Sequence, residues 1–254
     1  MTLPDEINGE VKPSLKADPR WLLSIFTHPT RTLHEILGNS KAIWLWPVLL
    51  LSLLAVIRIL VSGPIQIQSA QGIEVIPPDF QYYTPEQQEQ FQSAISVNQG
   101  PVMVYVLPGL AAVLGVWLHW FLLGALLHLA LTLNGSRSSN TAALNLTAWA
   151  SLPLALREIV RIFSILFTHR LIQSPGLSGF ASGGFLSALL AQIDAYFLWQ
   201  IVLILIGALH ISGMTRAKTW IVTLTTILIV MGLLAIPAYL VTRLSGIGAI
   251  TPFF

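Results

Sequence analysis

The chain has 254 residues, 54% of them hydrophobic and only 9% charged, with a mean hydropathy of +0.74; soluble proteins carry about a quarter charged residues. This excludes an ordinary soluble domain and reads as an integral membrane protein. The net charge of +2 is too small to argue for nucleic-acid binding, and the absence of cysteine removes disulfides, cysteine nucleophiles and thiolate metal sites.

Residues 1–41 form a polar, proline-containing tail. No basic stretch leads into a short apolar core with a small-residue cleavage site, so a signal peptide is not expected. Asp18-Pro19-Arg20-Trp21 starts one short helix, and "HPTRTLHEILGN" contains a second that Gly38 and Asn39 end. Trp21, Leu22, Ile25 and Phe26, then Leu33, Ile36 and Leu37, recur at helical spacing beside Arg20, Arg31 and Lys41. Such amphipathic helices lie along the cytoplasmic membrane surface or pack against the cytoplasmic ends of the spans, two compatible placements.

Crossing the hydrocarbon takes about 20 helical residues. Five apolar runs reach that length, at 42–62, 102–133, 141–168, 185–212 and 219–243. Runs of this length are helices, because lipid leaves backbone groups no outside partner and barrel strands are shorter. The expected fold is an all-α integral membrane protein, a bundle of five transmembrane helices over residues 42–245. The second to fourth runs exceed the minimum and must tilt, bend or project.

Orientation follows from the basic residues. Lys12, Lys16, Arg20, Arg31, Lys41, Arg137, Arg216 and Lys218 fall on one side, and only Arg170 and Arg243 on the other. This predicts a cytoplasmic N-terminus and an outside C-terminus. The extracytoplasmic loop 63–101 has four acids, Glu74, Asp79, Glu86 and Glu89, and no Lys or Arg. Within it Thr84-Pro85-Glu86-Gln87 reads as a helix start, with Thr as N-cap, Pro at the first position and Gln three after the cap. The spacing predicts a helix over 85–97, solvated on the surface or closing over the bundle as a lid. The later loop "SPGLSGFASGG" is expected to be mobile.

Five charged residues stand inside the spans: Arg58, Arg157, Glu158, Arg161 and Asp194. At about 1.5 Å per residue they all fall in the outer third of the bilayer. An unpaired charge at a helix centre costs roughly 2.5–3.5 kcal/mol or more, so such groups face the bundle interior and pair. Glu158 and Arg161 share a helix face, and Arg157 and Arg161 form a basic edge. The expectation is a cluster in which Glu158 and Asp194 balance two or three arginines. Pro153, one turn before Arg157, removes a helical hydrogen bond and introduces a bend that aims the basic face inward. The cluster either fixes helix register or builds a polar cavity for an anionic headgroup or a partner's acidic residue. Arginines near the boundary can also snorkel.

His119 and His128 lie on opposite helix faces, which argues against a shared metal site. His128 and His210 approach the cytoplasmic end and read as interfacial or hydrogen-bonded groups. Trp44, Trp46, Trp149 and Trp220 mark cytoplasmic span ends, and Ala111-x-x-x-Gly115 permits close helix contact. No G-x-S-x-G, H-E-x-x-H or P-loop pattern occurs. Glu158-x-x-Arg161 is similar to part of the prenyl-protein endopeptidase pattern, which carries paired glutamates and later histidine motifs; here one glutamate stands alone. No enzyme activity, cofactor or metal is expected.

Three further stretches carry a resemblance: "HPTRTLHEIL" before a Trp-Pro-containing first span, "AWASLP" in the third, and "IDAYFLWQIVLILIGALHISGMTRAKTW". Together they resemble the Yip-type family, membrane proteins first known for interacting with Ypt and Rab GTPases, over roughly residues 20–245. Asp194, Trp199, Gly207 and Lys218 fall where that family typically shows an acidic residue, a Trp, a Gly and a basic loop residue. The resemblance implies a five-helix bundle with a cytoplasmic N-terminus. The chain lacks the long N-terminal region and Asp-Leu-x-Gly-Pro type motif of the eukaryotic members, so a Rab-type GTPase is not an expected partner. It looks more like the bacterial branch, some of whose members are associated with efflux-type ABC transporters. The expected function is a non-enzymatic accessory or scaffold subunit in a bacterial cytoplasmic membrane, with lipids and other membrane proteins as partners. The alternative is a small transporter or lipid-binding protein with an outer-leaflet cavity built by Arg157, Arg161 and Asp194.

Overall fold

The computed structural model describes residues 18–38, 41–72, 80–98 and 100–244. Lys12, Lys16, Asn39, Glu74 and Asp79 lie outside the described residues, as does the side chain of Arg243. Every regular element among the described residues is helical: α1 (Trp21–Thr27), α2 (Pro29–Leu37), α3 (Leu45–Gly72), α4 (Pro85–Asn98), α5 (Leu107–Leu133), α6 (Asn140–Ala150), α7 (Leu152–Thr168), α8 (Gly184–Leu190), α9 (Ala195–Ser212) and α10 (Arg216–Leu244). A π-helical segment, Val102–Val106, runs into α5 just before Pro108, whose missing N–H favours irregular winding there. Among the described residues four stretches are long and apolar enough to cross a membrane: Leu45–Gln68, Val102–Leu133, Ala195–Ser212 and Arg216–Leu240.

The expected third span is two helices. α6 stops at Ala150 and α7 starts at Leu152, with Ser151 as a turn between them. Pro153 sits in the first turn of α7, where its missing N–H costs no helical bond. It starts a helix and does not bend one. The expected fourth span is also divided, because α8 ends at Leu190 and α9 begins only at Ala195. Asp194 is the N-cap of α9, its Oδ1 accepting from the Phe197 amide at 2.9 Å. The glycine-rich loop before α8 is folded as well: a 3-10 turn spans Ser178–Phe180, and the Leu177 amide donates to the Leu190 carbonyl at 2.9 Å.

α4 opens with the reciprocal pair read from Thr84-Pro85-Glu86-Gln87. The Gln87 amide donates to Thr84 Oγ1 at 3.3 Å, and the Thr84 amide to Gln87 Oε1 at 3.0 Å.

The main core joins α1 and α2 to α5, α6, α9 and α10. Ile25, Leu33 and Ile36 are fully buried with Leu127, Leu146 and Leu203. The amphipathic tail helices therefore pack against the bundle, with the Phe26 ring edge-on to Trp199 at 5.1 Å and Trp21 edge-on to Trp149 at 5.6 Å. Trp149 is a correction to the expected aromatic belt. It is only 1% exposed, lies beneath α1, and donates Nε1–H to the Ile43 carbonyl at 3.2 Å. Trp44 stacks on Trp120 at 4.3 Å, while Trp46 and Trp220 remain exposed. Asn145 completes this clamp: its Oδ1 accepts from the Ile43 amide and its Nδ2 donates to the Lys41 carbonyl. α6 is squeezed between two glycines. A Cβ at Gly207 would stand 2.1 Å from Leu146 Cδ1, and one at Gly124 2.7 Å from Leu144 Cδ2.

Candidate functional site

α7 is amphipathic in the inverted sense. Val160, Phe163, Leu166 and Phe167 face outward, while Glu158 is buried and Arg157 and Arg161 are largely buried. Apolar groups outside and charges inside suit a helix whose surroundings are hydrocarbon.

The structure brings Arg58, Arg157, Glu158, Arg161 and Asp194 together from α3, α7 and the N-cap of α9. Glu158 is the hub. Arg58 Nε donates to its Oε2 at 2.6 Å, and Arg161 Nη1 to its Oε1 at 3.2 Å. Charge-assisted bonds of this length are the strong ones. Arg157 is held more loosely, with Nε 3.6 Å from Glu158 Oε1 and Nη1 3.5 Å from Asp194 Oδ2. Those distances exceed hydrogen bonds, and Arg157 Nε has no hydrogen-bond partner among the described residues. Arg161 Nη2 reaches Asp194 Oδ2 only at 4.0 Å. Asp194 therefore divides its carboxylate, one oxygen capping α9 and the other facing two guanidinium groups.

A cavity of about 60 Å³ adjoins this cluster, bounded by α3, α5, α7 and the start of α9. Arg58, Arg157 and Glu158 form its polar wall with His119 and Ser151, and Leu51, Val116 and Phe197 its apolar one. Gly115 of the Ala111-x-x-x-Gly115 pattern lines this space; close approaches occur at Gly63, against Tyr105, and at Gly124 and Gly207.

Beside the cavity a polar chain crosses the bundle at the α6–α7 break. Gln200, fully buried on α9, donates Nε2–H to Ser151 Oγ at 3.1 Å and lies 3.3 Å from His119 Nε2. Ser151 Oγ donates to the Thr147 carbonyl at 2.6 Å. Gln192 Nε2 reaches from the α8–α9 turn to the Met231 carbonyl of α10 at 3.2 Å. Sequence reasoning misses Ser151, Gln192 and Gln200; the available signal was a pair of glutamines within an apolar run.

The remaining histidines stand apart from this site. His210 Nδ1 is 2.8 Å from the Ile206 carbonyl and its ring meets that of His34 edge-on, whereas His128 Nδ1 is buried without a hydrogen-bond partner among the described residues. Among the described residues no three His, Asp or Glu side chains converge to hold a metal.

No curated protein and no solved structure matches the chain. The model of the Yip1 domain does, over residues 23–238, a stretch that holds α2 to α9 entire and every residue of the charge cluster. The all-α membrane protein described here therefore belongs to the Yip1 domain family.

Proposed function

We propose that the protein is a non-enzymatic, multi-pass component of a bacterial cytoplasmic membrane, acting as an accessory or scaffold subunit of a larger assembly such as an efflux-type ABC transporter. The observation that carries this reading is the division of its surface and interior. The exterior is ringed with apolar side chains such as Leu114, Phe121, Phe167, Ile221 and Leu228, while the charged groups are spent on each other between helices. Such a body offers packing surfaces to neighbouring membrane proteins and lipids. A Rab-type GTPase is not among the proposed partners.

In this reading α6 and α7 together make the third of five spans. Residues 140–168 extend about 40 Å at 1.5 Å per residue, and neither half crosses alone. The N-terminus is cytoplasmic and the C-terminus outside. Two contacts support this topology: Lys218 Nζ donates to the Asn134 carbonyl at 2.6 Å, and α2 meets the end of α9 through His34 and His210. The tail helices, the α5–α6 connection and the α9–α10 turn thus share one end of the bundle, where the basic residues concentrate.

The test is a tagged pull-down from native bacterial membranes in mild detergent, with proteins and lipids identified together by mass spectrometry. Transporter subunits in stoichiometric yield are the expected outcome, and recovery of the protein alone overturns the accessory role. The topology is checked by fusing alkaline phosphatase after Leu244. Activity is expected there, and an inactive, stably inserted fusion refutes the orientation.

A further inference from the structure

The buried charges do not cancel. Arg58, Arg157 and Arg161 face Glu158 and Asp194, three guanidinium groups against two carboxylates, with side chains only 7% to 18% exposed. One positive charge is in excess where water screens poorly, and an uncompensated buried charge is strongly destabilising. The excess is localised. Glu158 gives one oxygen to Arg58 and the other to Arg161, whereas Arg157 makes only longer ion contacts, at 3.6 and 3.5 Å, and its buried Nε has no hydrogen-bond partner among the described residues. Arg157 lines the cavity of about 60 Å³.

His119, on the same polar wall of that cavity, carries a further donor. Ser151 Oγ spends its proton on the Thr147 carbonyl, so it must accept from Gln200 Nε2, which fixes the orientation of that amide. The same nitrogen lies against His119 Nε2, which must then accept, leaving the imidazole proton on Nδ1. Size and charge narrow the ligand further. A water needs roughly 10–15 Å³ of such volume, so the space of about 60 Å³ suits a small ion with a few waters. A doubly charged phosphate would overturn the balance that a single negative charge restores.

We propose that the cavity between α3, α5, α7 and α9 binds one small monovalent anion, a halide or a short carboxylate, held by Arg157 with His119 as second donor. The bound ion supplies the missing counter-charge of the cluster. This site is independent of the assembly the protein joins.

The full-length protein, purified in a neutral detergent and exchanged into gluconate buffer, is tested by equilibrium dialysis against radioactive chloride at constant ionic strength. The expected result is saturable binding of a single equivalent per chain, displaced by bromide and formate. Arg157→Gln weakens it by about tenfold or more, the loss of one charge-assisted contact. His119→Phe, which leaves every charge in place, weakens it severalfold and serves where Arg157→Gln does not fold. Absence of saturable chloride and formate binding to the wild type overturns the proposal. Binding unchanged in every folded variant, or displacement only by phosphate or phospholipid, does so too.

Discussion

Around Glu158, α3, α7 and α9 meet through charged groups separated by 2.6 to 4.0 Å; around Trp149, α1, α2, α6 and α9 meet through closely fitted apolar groups and two neutral clamps on the backbone of residues 41–43. In lipid, apolar side chains gain little by leaving the solvent, so helix association there depends on close packing and polar contacts. The two regions use one means each. The Glu158 region fixes the rotation of α7 by direction, since only one face of that helix carries charges. The Trp149 region fixes distance by shape, with Gly124 and Gly207 letting α6 approach its neighbours closely.

The contrast can be broken hardest at its hub. Glu158→Ala strands three guanidinium groups with Asp194 alone, and a loss of about 3–5 kcal/mol is expected, read from unfolding in detergent by circular dichroism. Arg58→Met added to that variant should recover part of the loss; a double variant no more stable than the single would show that stranded charge is not the cause.

Trp149→Phe tests the other region. It keeps an aromatic ring but leaves the buried Ile43 carbonyl without its donor, and about 1–3 kcal/mol should be lost. Unchanged stability in the same unfolding experiment would mean that the clamp contributes nothing. The smallest effect belongs to Asp194→Asn, at about 1 kcal/mol. Asparagine still caps α9, and the ion contacts it gives up are long, at 3.5 and 4.0 Å. Asp194→Ala loses the cap as well and should unfold at a lower midpoint; equal midpoints would refute the capping role.

What was legible in the sequence followed helical periodicity. Long apolar runs announce spans, and the spacing of Arg157, Glu158 and Arg161 puts them on neighbouring faces of one helix. The Thr84–Gln87 box was readable because both partners lie within one turn. The break at Ser151 was not, since "LTAWASLPLAL" has no Gly or Asn stop, and Pro153 is compatible with either a kink or a helix start. Asp194 carried a readable signal that the surrounding hydrophobicity masked: an Asp directly before an apolar-periodic run is an N-cap pattern. The role of Trp149 depended on a segment more than a hundred positions earlier in the chain, at Ile43, and no local pattern encodes that meeting.

The Arg58–Glu158 pair has a consequence for biosynthesis. Its members are 100 residues apart, and at about 5–20 residues per second the ribosome needs roughly 5–20 s to make that interval. During that time α3 carries an arginine whose counter-charge has not been made. Release of α3 sideways into lipid is less favourable until α7 supplies Glu158. The order of synthesis thus leaves one arginine of this cluster without its glutamate for the longest time.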